Sequence, residues 1–174
     1  MPSDYWKGRA HLNYYRRVHE LSEQFCTNQN TLLDVGGGVL WGAKYLERFT
    51  GWERTSIEHG RDRGGCIDGV TVLHKDFRTW PLPKARYDLV LCLQCLEHQH
   101  DKQIPEFVRR LLACGETLIV SVPHAWRAGM EKGHPQDPIS LDKFRSWFPI
   151  EPSSIEICAE KTKLNRIVAV FELV

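Results

Sequence analysis

The chain has 174 residues, 42% of them hydrophobic, with 23 basic and 22 acidic side chains and a formal net charge of +1. That length suits one domain able to bury its own core without disulfide or metal staples. The charge balance leaves no bulk electrostatic footprint for nucleic acid or a membrane surface. No apolar run approaches the roughly 20 residues needed to span a bilayer. Met1 to Ala10 is polar and aromatic, with no apolar signal core, so the cytosol is the expected compartment.

Residues 11–26 place apolar groups at 14, 15, 18, 21 and 25, the spacing of an amphipathic leading helix. Thr31-Leu-Leu-Asp-Val35 is a short buried strand running into glycines, and Val39 to Phe49 returns to helical period before Gly51 stops it. Arg54 to Glu58 reads as a second strand, the glycine-rich stretch 60–69 as a loop, and Val70 to Leu73 as a third strand leading to Asp76. Tyr87 to Leu93 is apolar on both faces, as a central parallel strand should be. Lys102 to Cys114 is a helix followed by Gly115, and Thr117 to Val122 is a fifth strand closed by Pro123. A polar, proline-rich excursion runs from His124 to Pro138. Ser140 caps a helix to Phe148. Ser154 to Cys158 and Arg166 to Phe171 form a closely joined antiparallel pair.

Six cysteines, at 26, 66, 92, 95, 114 and 158, sit mostly inside apolar runs. Cys92 and Cys95 form a C-x-x-C, but it lies in a strand and its exit with no second pair to match it. Buried free thiols, behaving as small hydrophobes, are the expected state.

Alternating strands and helices across one domain, residues 1–174, imply an α/β fold: a single doubly wound, mostly parallel, Rossmann-like sheet with helices on both faces and an antiparallel C-terminal strand. Ligands of such sheets bind beyond the carboxyl ends of the strands, so the residues just after each strand carry the information. Gly36, Gly37 and Gly38 follow the first strand, where they permit a tight turn and a close backbone approach. Gly36, Gly38 and Gly42 also fit a variant dinucleotide fingerprint, but Asp34 would face a pyrophosphate unfavourably and suits a positive amino group instead. Glu58, twenty-four residues on, ends the second strand where an acid accepts from a ribose diol. Asp76 and Phe77 follow the third, a carboxylate for an exocyclic amine beside a ring to cover adenine. Gln94 follows the fourth. Three acids and a glycine turn at successive strand ends fit an adenosine carrying a cationic amino-acid tail, S-adenosylmethionine.

Leu32-Leu-Asp-Val-Gly-Gly-Gly38 resembles the first motif of class I S-adenosylmethionine-dependent methyltransferases. Asp88-Leu-Val-Leu-Cys-Leu-Gln-Cys-Leu-Glu-His98 resembles their fourth-strand motif in the subgroup ending Leu-Glu-His, and Leu111 to Pro123 their next helix, glycine turn and strand. The resemblance implies that Asp34, Gly36 and Gly38 shape the methionine pocket, that Glu58 takes the ribose hydroxyls, that Asp76 and Phe77 meet the adenine, and that Gln94 closes the methionine side. Leu40 stands where this family commonly has a third motif glycine. The tail, from Ser121-Val-Pro-His through His134-Pro-Gln-Asp-Pro to Trp147-Phe148, resembles small bacterial methyltransferases of polysaccharide or secondary-metabolite pathways.

No Asn/Asp-Pro-Pro-aromatic motif follows the fourth strand and no Pro-Cys pair occurs, which marks down exocyclic-amine and cytosine-C5 methylation of nucleic acids. O-methylation of a small molecule or saccharide leads, with the leading helix within 1–28 and the excursion 124–138 covering the acceptor. His98, His134 and His124 are the base candidates, since imidazole titrates near neutrality. Glu97-His98 with a distant His134 also resembles a metal-assisted subset carrying Glu-x-x-Glu-His; Gln94 in place of the first Glu makes a poorer ligand for a hard cation, so no metal is the expectation. The other readings are a non-catalytic S-adenosylmethionine-binding module and an NAD(P)-dependent oxidoreductase.

Overall fold

A computed structural model describes residues 9–28, 30–38, 41–59 and 65–173, with the side chains of 41–43 and 65–67 left aside. Leu40 lies outside the described residues. In chain order the elements are α1 (Asn13–Phe25), β1 (Thr31–Val35), α2 (Trp41–Leu46), β2 (Glu53–Glu58), β3 (Gly65–Ile67), β4 (Val70–His74) and β5 (Tyr87–Leu93). A 3₁₀ turn (Leu96–His98) precedes α3 (Ile104–Cys114), β6 (Gly115–Pro123), α4 (Leu141–Ser146), β7 (Ser154–Cys158) and β8 (Arg166–Glu172).

One eight-stranded sheet runs β3-β4-β2-β1-β5-β6-β8-β7. The pairs among β4, β2, β1, β5 and β6 are parallel, and β3, β8 and β7 join antiparallel. The chain leaves β1 for β2 on one side and later returns to place β5 on the other, so the switch point opens beyond the ends of β1 and β5. Strand residues alternate between two buried faces. Leu33, Val35, Val90 and Cys92 pack in the layer holding α3 and α4, while Leu32, Leu89, Leu91 and Ile119 pack in the layer holding α1 and Tyr45 of α2. Both faces being covered explains the near-continuous apolar runs of the central strands. No helix among the described residues is long and apolar enough to cross a membrane.

Two departures from the sequence reading have clear causes. The stretch 60–69 is not all loop. Residues 65–67 form β3 and pair with β4 across Asp68-Gly69, where both residues have positive φ, +50° and +76°. Asp-Gly supplies the turn whose twist matches a tight hairpin, a signal masked by the surrounding glycines. The helix expected over 39–49 is described only from Trp41 to Leu46, and its last three residues form a turn. Ser140 does cap α4, its Oγ accepting from Lys143 N at 3.1 Å. Gly115 serves packing as well as helix termination: a Cβ there would lie 2.5 Å from Val90 Cγ2. The five cysteines among the described residues are free thiols, and burial pushes those of Cys26, Cys114 and Cys158 up to about 11.

The start of α1 has no cap of its own. Glu160, from the connection between β7 and β8, supplies one: its Oε2 accepts from Asn13 N at 2.8 Å and its Oε1 from Tyr14 N at 3.0 Å. A carboxylate at a helix N-terminus satisfies orphan N–H groups and complements the dipole. This tether brings α1 over the carboxyl ends of the strands.

Candidate active site

Two cavities open at those strand ends, of about 690 and 520 Å³, sharing Gly36, Gly38, Gln94 and His98. The larger is lined by Glu58, Asp76 and Phe77, and the smaller by Asp34, Gly37, Glu97 and His134. Of the residues read from the sequence as binding or catalytic, only His124 lines neither cavity. Its backbone N–H donates to Asn165 O at 2.9 Å, which holds the chain exit to the far hairpin. Position after a strand end brought it near in sequence, while the turn after Pro123 leads it away.

The glycine turn is shaped by crowding. Gly36 has φ +79°, and a Cβ on it would sit 2.5 Å from Cys95 Sγ. A Cβ on Gly37 would sit 1.9 Å from Asp34 Oδ2 and 2.7 Å from Ser56 Oγ. Gly38, at φ +62°, donates its N–H to Glu58 Oε2 at 2.8 Å. The backbone is thereby folded close against both acids and Cys95, with no room for a side chain at Gly36 or Gly37. Asp34 is buried beside this turn and accepts one bond, from Ser56 Oγ at 3.0 Å. Burial pushes its carboxyl up to about 7, with the Glu58 charge adding to the rise and the Ser56 bond opposing it.

Asp76 is half-engaged already. Arg78 grips it through Nε and Nη2, the shortest contact being 2.6 Å. That guanidinium holds the carboxyl below its ordinary range. Phe77 is buried at the cavity wall and tilted against Phe107, 5.0 Å between centroids. Arg110 on α3 fixes this loop from behind, its Nε donating to Phe77 O at 2.9 Å and its Nη2 to Trp80 O. Gln94 leaves β5 in the left-handed region, φ +55°. Its Nε2 donates to Ser121 Oγ at 3.2 Å, and its Oε1 accepts from Arg166 Nε at 3.2 Å.

The smaller cavity gathers Glu97, His98 and His134, whose ligating atoms all lie within 4.8 Å of one another. His98 Nδ1 is 2.8 Å from Gly133 O, and His134 Nδ1 is 3.0 Å from Asp137 Oδ2. Both contacts favour a proton on Nδ1, which leaves each Nε2 as a lone-pair donor. The rings meet edge to face at 4.6 Å. Burial lowers the His98 pKa, keeping that imidazole neutral near pH 7. Glu97 is fully buried, and neither carboxylate oxygen has a hydrogen-bond partner among the described residues. Burial pushes it up to about 8. Gln136 ties the excursion in place, its Nε2 donating to Gln99 O and Asp101 Oδ1, both at 2.8 Å.

Sequence reasoning passed over Asp137, Tyr14, Trp126 and Arg166. Asp137 stood three residues from His134, a spacing within reach of a side-chain contact. Arg166 and Trp126 had no local signal, because the antiparallel return of β8 brings them to the site.

A family model described as a methyltransferase domain matches residues 5–160, and the chain belongs to that family. It is 29% identical over 127 residues to a probable S-adenosylmethionine-dependent methyltransferase of Mycolicibacterium smegmatis, a match covering 67% of this chain and 48% of that protein. The chain therefore spans about half the length of the curated relative it matches. Among solved structures, a SAM-dependent methyltransferase from Aquifex aeolicus superposes with a TM-score of 0.68 at 17% identity, covering 100% of this chain and 99% of that one. The Burkholderia thailandensis 1,6-didemethyltoxoflavin-N1-methyltransferase, solved with 1,6-didemethyltoxoflavin and S-adenosylhomocysteine, gives 0.69 at 16% identity, covering 98% and 81%. These likenesses establish the Rossmann-like methyltransferase fold.

Proposed function

We propose that the protein transfers a methyl group from S-adenosylmethionine to a hydroxyl of a small molecule or sugar, with His98 and His134 at the acceptor. The residues present fit the cofactor. Gly36 and Gly38 line both cavities in a turn packed so closely on Cys95 and Asp34 that Gly36 and Gly37 have no room for a side chain; Asp34 suits an ammonium group, and Glu58 suits a diol. When bound, S-adenosylmethionine supplies an electrophilic methyl on a sulfonium. Gln94, shared by the two cavities, and Asp34, on the wall of the smaller one, orient the amino-acid tail. Tyr14 and Trp126, with the excursion, exclude water from the acceptor.

The observation that carries the reading is the anchoring of both imidazoles through Nδ1, to Gly133 O and Asp137 Oδ2. Each Nε2 is then set to accept a hydroxyl proton, general-base work worth about 10²–10⁴-fold. The test uses methyl-tritiated S-adenosylmethionine with a panel of phenols, sugars and amines. O-methyl product is expected from the wild type. His134→Ala and His98→Ala should each slow it by at least about tenfold while S-adenosylhomocysteine affinity holds. Stabilisation by NAD(P) with no response to either sulfur nucleoside overturns the cofactor; binding without turnover on any acceptor favours a non-catalytic module. Product only on amines overturns the hydroxyl assignment, the activity named for the Burkholderia neighbour.

A second reading has an observation of its own. Two imidazoles with their Nδ1 atoms held by a carbonyl and a carboxylate, beside an unpartnered buried carboxyl, form the arrangement that supports a divalent cation through three protein ligands. Under it Glu97, His98 and His134 would hold the cation, Glu97 as the carboxylate, and the cation would acidify the acceptor hydroxyl so that its proton could pass to water. Loss of transfer with chelator and its return with Mg²⁺ or Mn²⁺ selects this reading; indifference to chelator rejects it.

A further inference from the structure

Arg166 opens β8, where the antiparallel ladder sets it opposite Pro123. Its side chain is only 5% exposed, yet it lines the smaller cavity. The guanidinium lies 4.7 Å from the centroid of the Tyr14 ring and 5.3 Å from that of Trp126. Nε donates to Gln94 Oε1 at 3.2 Å, and Nη1 to Leu164 O at 2.8 Å. The nearest carboxylate is Glu160, 3.7 Å from Nη1, and both its oxygens already accept from the start of α1. Of the five N–H donors a guanidinium carries, these bonds use two. Nη2 has no hydrogen-bond partner among the described residues and is not among the sealed, unpartnered atoms. A guanidinium taken this far out of water is stabilised only when its remaining donors are met.

We propose that Arg166 is the anion anchor of the acceptor cavity and takes the carboxylate of a planar, aryl-type acid; this rests on the reading of that cavity as the acceptor site. Trp126 beside the guanidinium and Tyr15 on the same wall, both half-buried, offer ring surface to a flat ligand, while Tyr14 is buried behind them. The free edge of Arg166 offers parallel N–H bonds, the geometry that matches a carboxylate. Glu131 lines the same cavity and opposes a dianion, so a singly charged group fits better than a phosphate monoester. The methionine tail of the cofactor also ends in a carboxylate, and the experiment separates the two sources.

The experiment is calorimetric titration of the wild type, Arg166→Gln and Arg166→Lys, first with S-adenosylhomocysteine and with 5′-methylthioadenosine, which lacks the amino-acid tail. The homocysteine-saturated proteins are then titrated with benzoate and with benzamide, its neutral counterpart. Benzoate is expected to bind the wild type about tenfold or more tighter than benzamide, the scale of a charge-assisted bond. Arg166→Gln should erase the difference, and Arg166→Lys, keeping charge without the fork, should restore part of it. S-adenosylhomocysteine affinity should fall by less than about tenfold in Arg166→Gln, the most that loosening Gln94, whose Oε1 accepts from Arg166 Nε, should cost as one neutral hydrogen bond. Equal binding of benzoate and benzamide, or no binding of either, overturns the proposal. So does a loss of roughly tenfold or more in S-adenosylhomocysteine affinity with 5′-methylthioadenosine unaffected, which assigns the anion to the cofactor. A wild type that binds no S-adenosylhomocysteine overturns the cofactor reading itself, and this proposal with it.

Discussion

Replacing Asp34 by Asn separates the cost of the cofactor pocket from its use. Asp34 is buried, with one hydrogen bond from Ser56 Oγ and a turn of glycine backbone pressed against it. Its pKa rises from the ordinary 3.8 to about 7, chiefly through burial. The folded protein therefore holds this proton more tightly than the unfolded chain. Stability is fully present below about pH 4, the unfolded value, and is lost as pH rises through 7. A rise of that size corresponds to roughly 4 kcal/mol at about 1.4 kcal/mol per tenfold change in proton affinity, an upper bound because the pocket can relax. Asn keeps an acceptor for Ser56 and cannot ionise. Relative to acid below about pH 4, urea unfolding of the ligand-free protein should give Asp34→Asn an advantage of about 1–2 kcal/mol at pH 5, rising to roughly 4 kcal/mol by pH 7 and nearly level from there to pH 9. Glu97, raised to about 8, contributes a fall of the same sign in both proteins and drops out of the difference. The variant should bind S-adenosylhomocysteine more weakly. It should also lack the proton release that the wild type shows near pH 6.5, read by calorimetry in buffers of different ionisation enthalpy. Parallel pH profiles, or a variant less stable at pH 9, would refute the reasoning.

Glu58→Ala should leave the fold intact and weaken S-adenosylhomocysteine by about ten- to a hundredfold, the range of 1.5–3 kcal/mol for bonds to a charged acceptor; unchanged affinity in calorimetry removes Glu58 from the site. Gly37→Ala places a Cβ 1.9 Å from Asp34 Oδ2, so cofactor binding should vanish, and a normal thermal shift with S-adenosylhomocysteine would show that the turn has room to move. Ser140→Ala removes the cap of α4 and should cost about 1 kcal/mol in urea unfolding without changing cofactor affinity; a loss of affinity there would tie α4 to the site. Asp137→Asn should slow methyl transfer and shift its pH profile while leaving cofactor affinity in place, because it changes which His134 nitrogen carries the proton; an unmoved profile would leave Asp137 a purely structural role.

The proposed cofactor side of the site was legible in the chain because it is built from residues that directly follow strands. Strand ends of a parallel sheet converge at one edge, so Asp34, Glu58, Asp76 and Gln94 come together whatever fills the helices between them. The glycine run was legible for a related reason: a turn that must press backbone against Asp34 and Cys95 tolerates no Cβ. Periodicity located the strands for the same physical cause, since a sheet covered on both faces needs unbroken apolar runs. The small hairpin at β3 was hidden, because its Asp-Gly turn sat among glycines that read as loop. On the proposed acceptor side the sequence offered His98, His134 and the excursion, while their partners were decided by the tertiary structure. Arg166 and Trp126 reach the cavity through the antiparallel return of β8 and the hairpin that holds the excursion, and Glu160 caps α1 from nearly the other end of the chain. His124 was a base candidate in sequence behind His98 and His134, and the Asp137 contact and the Gln136 tether hold His134 against His98. Such long-range pairings leave no local pattern, because what selects them is the packing of one face against another.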